Sequence, residues 1–189
     1  MAVLIRRGTP ADVNAITDLT MRAYSKWLAL IGYKPLPMLA DYAVAIREHR
    51  FDLLEADGTL AALIETELRD DDLLIVNVAV SPDAQKRGYG RRLMDLAEQI
   101  ATEAGRSTLR LYTNERFEEN IRLYASLGYA HERLETRANG ARVVHMVKGR
   151  DSSPPQPADN LQNYRESQPQ ANLTIDGRPR KVIDHPRLR

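Results

Sequence analysis

Residues 85–92, Gln-Lys-Arg-Gly-Tyr-Gly-Arg-Arg, carry the densest chemistry in this sequence. They follow an apolar run, Leu73 to Val80, that is cut by Ser81-Pro82, and a helical pattern starts near Gly90. Strand, Gly-rich turn and helix start together aim backbone N–H groups and the positive end of a helix dipole at one place, which suits a phosphate. Gly88 and Gly90 let the backbone approach closely and take positive φ without Cβ strain. Lys86, Arg87, Arg91 and Arg92 add charge for phosphate groups. A solvated helix start also uses such residues, and at least one of Arg91 and Arg92 is expected to serve that way.

Two phosphate-binding schemes are rejected by spacing. The GxxxxGK[ST] loop is absent. Gly88-Tyr89-Gly90 begins like GxGxxG, but Leu93 stands where the third glycine belongs, and Tyr112-Thr113-Asn114 occupies the place of the ribose-binding acid. The chain has no cysteine, which removes disulfides, thiolate catalysis and zinc–thiolate sites. Its four histidines, at 49, 131, 145 and 185, lack HxxxH or HExxH spacing, so no metal is expected. A net charge of +1 supplies no global field for nucleic acid or anionic lipid. The apolar start is too short for a signal peptide, residue 2 is Ala rather than the Gly of a myristoylation site, and no run approaches the roughly 18 apolar residues of a membrane span. A cytoplasmic protein is the expectation.

The elements that must position the turn can be read from periodicity and breakers. The 189 residues suffice for one domain with a core, at 43% apolar and 28% charged content. Val3-Leu4-Ile5 is a short strand. Thr9-Pro10-Ala11-Asp12 is a helix start, with helical spacing from Val13 through about Tyr24. Gly32 to Pro37 breaks the pattern, and Met38 to Glu48 is a second helix. Phe51–Leu54, the Asp57-Gly58 turn and Leu60–Leu68 form a hairpin. Leu73–Val80, apolar on both faces, is a central strand. A helix with Leu93, Ala97, Ile100, Ala101 and Ala104 on one stripe stops at Gly105. A strand holds Leu109, Leu111 and Thr113, a helix spans Phe117 to Leu127, and a hairpin turns at Asn139-Gly140. The order is β-α-α-β-β-β-α-β-α-β-β, a mixed α/β (α+β) fold over residues 1–149. Six of the ten prolines lie between Pro154 and Pro186, so residues 150–189 form a Pro-rich tail expected to be disordered or loosely docked, with Leu173-Thr174-Ile175 its one apolar patch.

Gln85-Lys86-Arg87-Gly88-Tyr89-Gly90 after Val-Ala-Val-Ser-Pro resembles the Gln/Arg-x-x-Gly-x-Gly/Ala signature of the GNAT superfamily of N-acetyltransferases. A second segment, Asn120 to Tyr129, is similar to that superfamily's Asn-x-x-x-Tyr-x-x-x-Gly-Tyr/Phe. The resemblance covers residues 3–148 and includes the order of elements. It implies the GNAT acyl-CoA N-acyltransferase fold and acetyl-CoA as co-substrate, with its pyrophosphate on the N–H groups of residues 86–91 and its pantetheine arm bonded edge-on along Val78, Ala79 and Val80. The Val78 and Val80 side chains would be ordinary core. It further implies that Asn120 bonds the pantetheine chain and that Tyr124 is the acid that protonates the departing CoA thiolate. Taken alone, Phe117, Ile121 and Tyr124 share a helical face, so Tyr124 also reads as core, and Asn120 as a surface residue.

The implied reaction is direct attack of a neutral amine on the thioester. The amine must lose a proton, since alkylamines have pKa near roughly 10.4. An oxyanion needs a donor, and the resemblance offers the Val78 backbone N–H for it. The general base is open: Glu65 and Glu67 face one way on their strand and could act directly or through water, could form a solvated sheet face, or no dedicated base is used. Tyr24, Trp27, Tyr33 and Tyr42, in the Pro-broken stretch 24–42, are candidates for the acceptor wall or for packing. The chain resembles the small bacterial members of the superfamily, whose acceptors vary widely, so the expected partner is a small-molecule or protein amine. A non-catalytic acyl-CoA-binding module is the alternative, and exposed edge strands such as the last hairpin allow a homodimer.

Overall fold

The structure is a computed structural model that describes residues 2–149. The Pro-rich tail lies outside the described residues. Seven strands form one mixed sheet: β1 (Val3–Arg7), β2 (Arg50–Ala56), β3 (Thr59–Leu68), β4 (Leu73–Val80), β5 (Thr108–Asn114), β6 (Ala130–Thr136) and β7 (Arg142–Gly149). Four helices accompany them: α1 (Val13–Ile31), α2 (Tyr42–Glu48), α3 (Tyr89–Glu103) and α4 (Glu118–Ser126). The element order matches the sequence expectation. The sheet order is β1-β2-β3-β4-β5-β7-β6, so the last hairpin folds back to put β7 inside and leave β6 at the edge.

Two boundaries differ from expectation. α1 runs to Ile31, about two turns past Tyr24, and ends at Gly32 with φ 77°, a left-handed stop only glycine takes freely. The missed turns hold Trp27, Leu28 and Ile31, whose apolar face continues the helix although the aromatic content suggested a loop. The second helix starts later, at Tyr42, because Asp41 caps it by accepting from the Ala43 and Val44 amides at 2.9 and 3.3 Å. Leu36–Met38 is instead a separate 3-10 turn. The cap expected from Thr9 and Asp12 closes the 3-10 turn Pro10–Asp12 that leads into α1: the Thr9 amide donates to Asp12 Oδ2 at 2.8 Å.

The core has two parts, one on each face of the sheet. Leu93, Met94, Ala97 and Ala101 of α3 are fully buried against Ile64, Leu73 and Val144 on one face. Ile16 and Leu19 of α1 pack with Phe51, Leu53 and Leu63 on the other. Truncating one such side chain to Ala costs about 2–5 kcal/mol.

Two irregularities in β4 set up the site. The register with β3 passes from Glu65↔Asn77 to Thr66↔Ile75, so Val76 is an extra, bulged residue. The bulge exchanges faces: Leu73 and Ile75 belong to the α3 side, and past it Val78 and Val80 take over that side while Ala79 joins the α1 side. The parallel pairing of β4 with β5 spans only Leu73↔Leu109 to Ile75↔Leu111. Beyond it, Asn77–Val80 pair with β3 alone and Tyr112–Asn114 with β7 alone. The closed end is clamped by Asp72, which accepts from Arg69 Nε at 2.6 Å and Arg110 Nε at 2.8 Å. Burial works against the charge on Asp72, but these two guanidinium groups hold its carboxyl below the ordinary range. The sheet is therefore fastened at one end and split at the other.

Candidate active site

The split is bridged from above by α1 and α4. Trp27 stacks on Phe117 with ring centroids 4.2 Å apart. Beside them, Lys26 Nζ meets Glu119 Oε2 at 3.0 Å across exposed surface. Two cavities result, one on each side of this bridge, and they share four lining residues: Tyr24, Val78, Asn120 and Tyr124.

The first cavity lies over the Gly-rich turn and is lined by Val78–Val80, Gln85, Lys86, Gly88–Arg91 and Asn120, among others. Here the sequence reading of the site is largely assembled in one place. Gly88 has φ 79° and forms the N-cap of α3, so the N-terminal amides of that helix open toward the cavity. Gly90 differs from expectation: it sits in the first helical turn without a positive φ, and the second left-handed residue of the loop is Lys86, at φ 62°. A Cβ at Gly90 would meet the Val80 side chain at 3.7 Å, an ordinary contact, so packing does not itself demand glycine there. The Gln85 amide is turned back onto the end of β4, donating to the Val80 carbonyl at 3.4 Å. Arg87 and Arg92 are exposed and do not line the cavity, whereas Lys86 and Arg91 do. Among the described residues no strand neighbours the edge of β4 from Val76 to Val80 on the split side, which leaves backbone groups able to pair with an extended ligand.

The second cavity lies between the 33–39 segment, the splayed ends of β4 and β5, and the hairpin joining β6 to β7. Tyr24 and Tyr33 of the expected aromatic wall line it. Trp27 lines only the first cavity, and Tyr42 lines neither. Tyr42 is 4% exposed and packs edge-on to Phe51. Its hydroxyl donates to the Pro37 carbonyl at 2.8 Å and accepts from Asn77 Nδ2 at 3.2 Å.

The two tyrosines at the junction are in different states. The Tyr24 hydroxyl donates to Asn77 Oδ1 at 2.9 Å, so its proton is committed. The Tyr124 hydroxyl has no hydrogen-bond partner among the described residues while its ring borders both cavities. Burial pushes the Tyr124 phenol up to about 12 and the Tyr24 phenol well above its ordinary value. Both are neutral phenols at physiological pH. Asn120 and Tyr124 lie four residues apart on α4, hence on one face.

Glu65 and Glu67 line neither cavity. Glu65 is not on a solvated face: it is 3% exposed and Oε1 lies 2.6 Å from His49 Nδ1. Burial raises its pKa and the His49 contact opposes that rise. Sequence reading missed Asn77, Arg137 and Asn139. Asn77 was visible as the one polar residue inside an apolar strand; the other two sit in a hairpin with no local signal of a site.

Comparison with known proteins agrees with this geometry. The model of the acetyltransferase (GNAT) family matches residues 13–129, well over half of the chain. The ribosomal protein bS18 alanine N-acetyltransferase of Salmonella typhimurium is 39% identical over 77 residues, 40% of this chain and 51% of that protein. Its counterpart from Escherichia coli K12 is 34% identical over 76 residues, with the same shares. The match thus spans about half the length of these curated relatives. Among solved structures, the PaiA N-acetyltransferase of Thermoplasma acidophilum in complex with coenzyme A has a TM-score of 0.66 at 19% identity, covering 79% of this chain and 99% of that one. The Escherichia coli ribosomal-protein-S18-alanine N-acetyltransferase has a TM-score of 0.65 at 21% identity, covering 80% and 96%. Fold, motifs and family match converge: the chain belongs to the acetyltransferase (GNAT) family.

Proposed function

We propose that the protein transfers the acetyl group of acetyl-CoA to a primary amine of a small molecule or protein. The observation that carries this reading is the meeting of the two cavities at Tyr24, Val78, Asn120 and Tyr124. A cofactor on the turn side and an amine on the other side would meet there and nowhere else.

In this reading the pyrophosphate lies on the N–H groups of residues 86–91, with Lys86 and Arg91 adding charge. The pantetheine arm runs along the free edge of β4 and accepts from Asn120. The amine nitrogen attacks the carbonyl carbon, and the Val78 N–H stabilises the oxyanion. The C–S bond then breaks, and Tyr124 donates to the departing sulfur. A phenol at about 12 is a weaker acid than a thiol of ordinary pKa, about 8.5. Its contribution is therefore a hydrogen bond to the developing thiolate, and the proton shed by the amine completes the thiol. The neutral amine is reached by desolvation and water in the acceptor cavity, with neither Glu65 nor Glu67 in direct contact. The bS18 relatives act on an alanine of a ribosomal protein, which supports a protein amine as one acceptor. A cytoplasmic setting fits such a reaction, and edge strand β6 is where a second copy would pair in a homodimer.

A thermal-shift titration with acetyl-CoA, followed by an amine panel read by free thiol, tests the proposal. Binding at a hundredfold excess over Kd should add about 2.7 kcal/mol of stability. No stabilisation contradicts the reading. Stabilisation with no thiol release on any amine favours a non-catalytic acyl-CoA-binding module.

A further inference from the structure

The acceptor cavity has an unusual balance of charge. Among the described residues its lining includes two cations, Lys34 and Arg137, and no carboxylate. The rest is largely apolar or aromatic, with Leu36, Leu39, Tyr112 and Val143 among the walls. Two cations with no lining carboxylate disfavour a polyamine or a lysine-rich peptide.

The Arg137 charge is only thinly matched by the protein. Its Nε reaches Glu135 Oε1 at 3.3 Å, a long contact. Glu135 is shared: it meets His145 Nε2 at 2.7 Å and Arg133 Nη1 at 3.4 Å. The Nη donors of Arg137 carry no hydrogen bond to any described residue, and the guanidinium lies 5.8 Å over the Tyr112 ring. An arginine whose Nη donors are free and whose guanidinium lies over an aromatic ring is suited to a bidentate anion. Lys34, in the 33–39 segment, is exposed and, unlike Arg137, has no ion-pair partner among the described residues.

We infer that the acceptor is an amine that also bears a carboxylate, with an apolar body between the two, and that Arg137 and Lys34 select it. This rests on the acetyl-transfer reading above. The carboxylate could belong to a free amino acid or to an acidic residue near a peptide N-terminus; the chemistry recognised is the same.

Matched acceptors test it. Acetyl transfer is compared for 6-aminohexanoate against hexylamine, 4-(aminomethyl)benzoate against benzylamine, and short peptides beginning Ala-Glu against Ala-Lys, with spermidine as the cationic control. The expected result is a kcat/KM at least about tenfold higher for the carboxylate member of a pair, the difference lying in KM. Whichever of the first two pairs or the peptide pair shows it identifies the source. Arg137→Gln should remove the preference while leaving the KM for acetyl-CoA unchanged. Lys34→Glu, an exposed change that does not threaten folding, should weaken the carboxylate member selectively. Equal or better turnover of the amines without a carboxylate, or loss of both members alike in Lys34→Glu, overturns the inference while leaving acetyl transfer intact. Thiol release from no amine at all removes the acetyl-transfer reading, and this inference with it.

Discussion

The two cavities that meet at Tyr124 are built by different means. The side proposed for the cofactor offers backbone groups: a β4 edge unpaired among the described residues, a left-handed Gly88, and the open amides at the start of α3. The acceptor side is made of side chains from α1, the 33–39 segment, β4, β5 and the last hairpin. Backbone donors recognise what every acetyl-CoA presents, so their geometry is demanding and local. Side chains recognise one acceptor among many, so they can be drawn from distant parts of the chain. The wall between the cavities belongs to both, and there one tyrosine has its proton tied to Asn77 while the other is free to donate.

The strongest way to break this division is at the shared wall. Tyr124→Phe should lower kcat by about a hundredfold, in the usual range for losing a positioned proton donor, while the affinity for acetyl-CoA stays the same. Tyr24→Phe, which loses a hydroxyl already bonded to Asn77, should instead raise the acceptor KM with a smaller change in kcat. If the two variants behave alike, the division of roles between the tyrosines is wrong. The pH profile sharpens the same point. The donor must be protonated, and burial raises the Tyr124 phenol to about 12. With saturating amine, kcat should hold between about pH 9 and about pH 10.5, where a donor of ordinary pKa would be titrating away.

A smaller effect is expected on the cofactor side alone. Gly88→Val adds a side chain that meets nothing within 4 Å, but at φ 79° it forces a branched residue into the left-handed region. That strain is worth about 1–3 kcal/mol, so the turn should relax and the KM for acetyl-CoA should rise about tenfold or more. Acceptor preference should not move. A change in acceptor preference with cofactor affinity intact would mean that the cavities are assigned the wrong way round.

The same contrast explains what was legible in the sequence. The turn at 85–91 could be read because a few residue types at fixed spacing meet a backbone requirement, and Asn120 and Tyr124 because one helix carries both. The element order followed from periodicity and from breakers such as Gly58, Gly105 and Gly128. The length of α1 did not, because Trp27 serves packing and helix at once and its partner, Phe117, is ninety residues away. Glu65 looked like a solvated face because its partner His49 comes from the end of another helix. The sheet split and the bulge at Val76 depend on pairing between strands, which no single segment encodes. Arg137 enters the acceptor cavity only because the last hairpin folds back beside β5.

The most direct measurement of the central claim is a crystal structure of the protein with coenzyme A bound. The account predicts pyrophosphate on the amides of residues 86–91, pantetheine along Val76–Val80, and the sulfur within hydrogen-bonding reach of the Tyr124 hydroxyl. A sulfur lying against Tyr24, or a cofactor threaded through the cavity that holds Arg137, would contradict it.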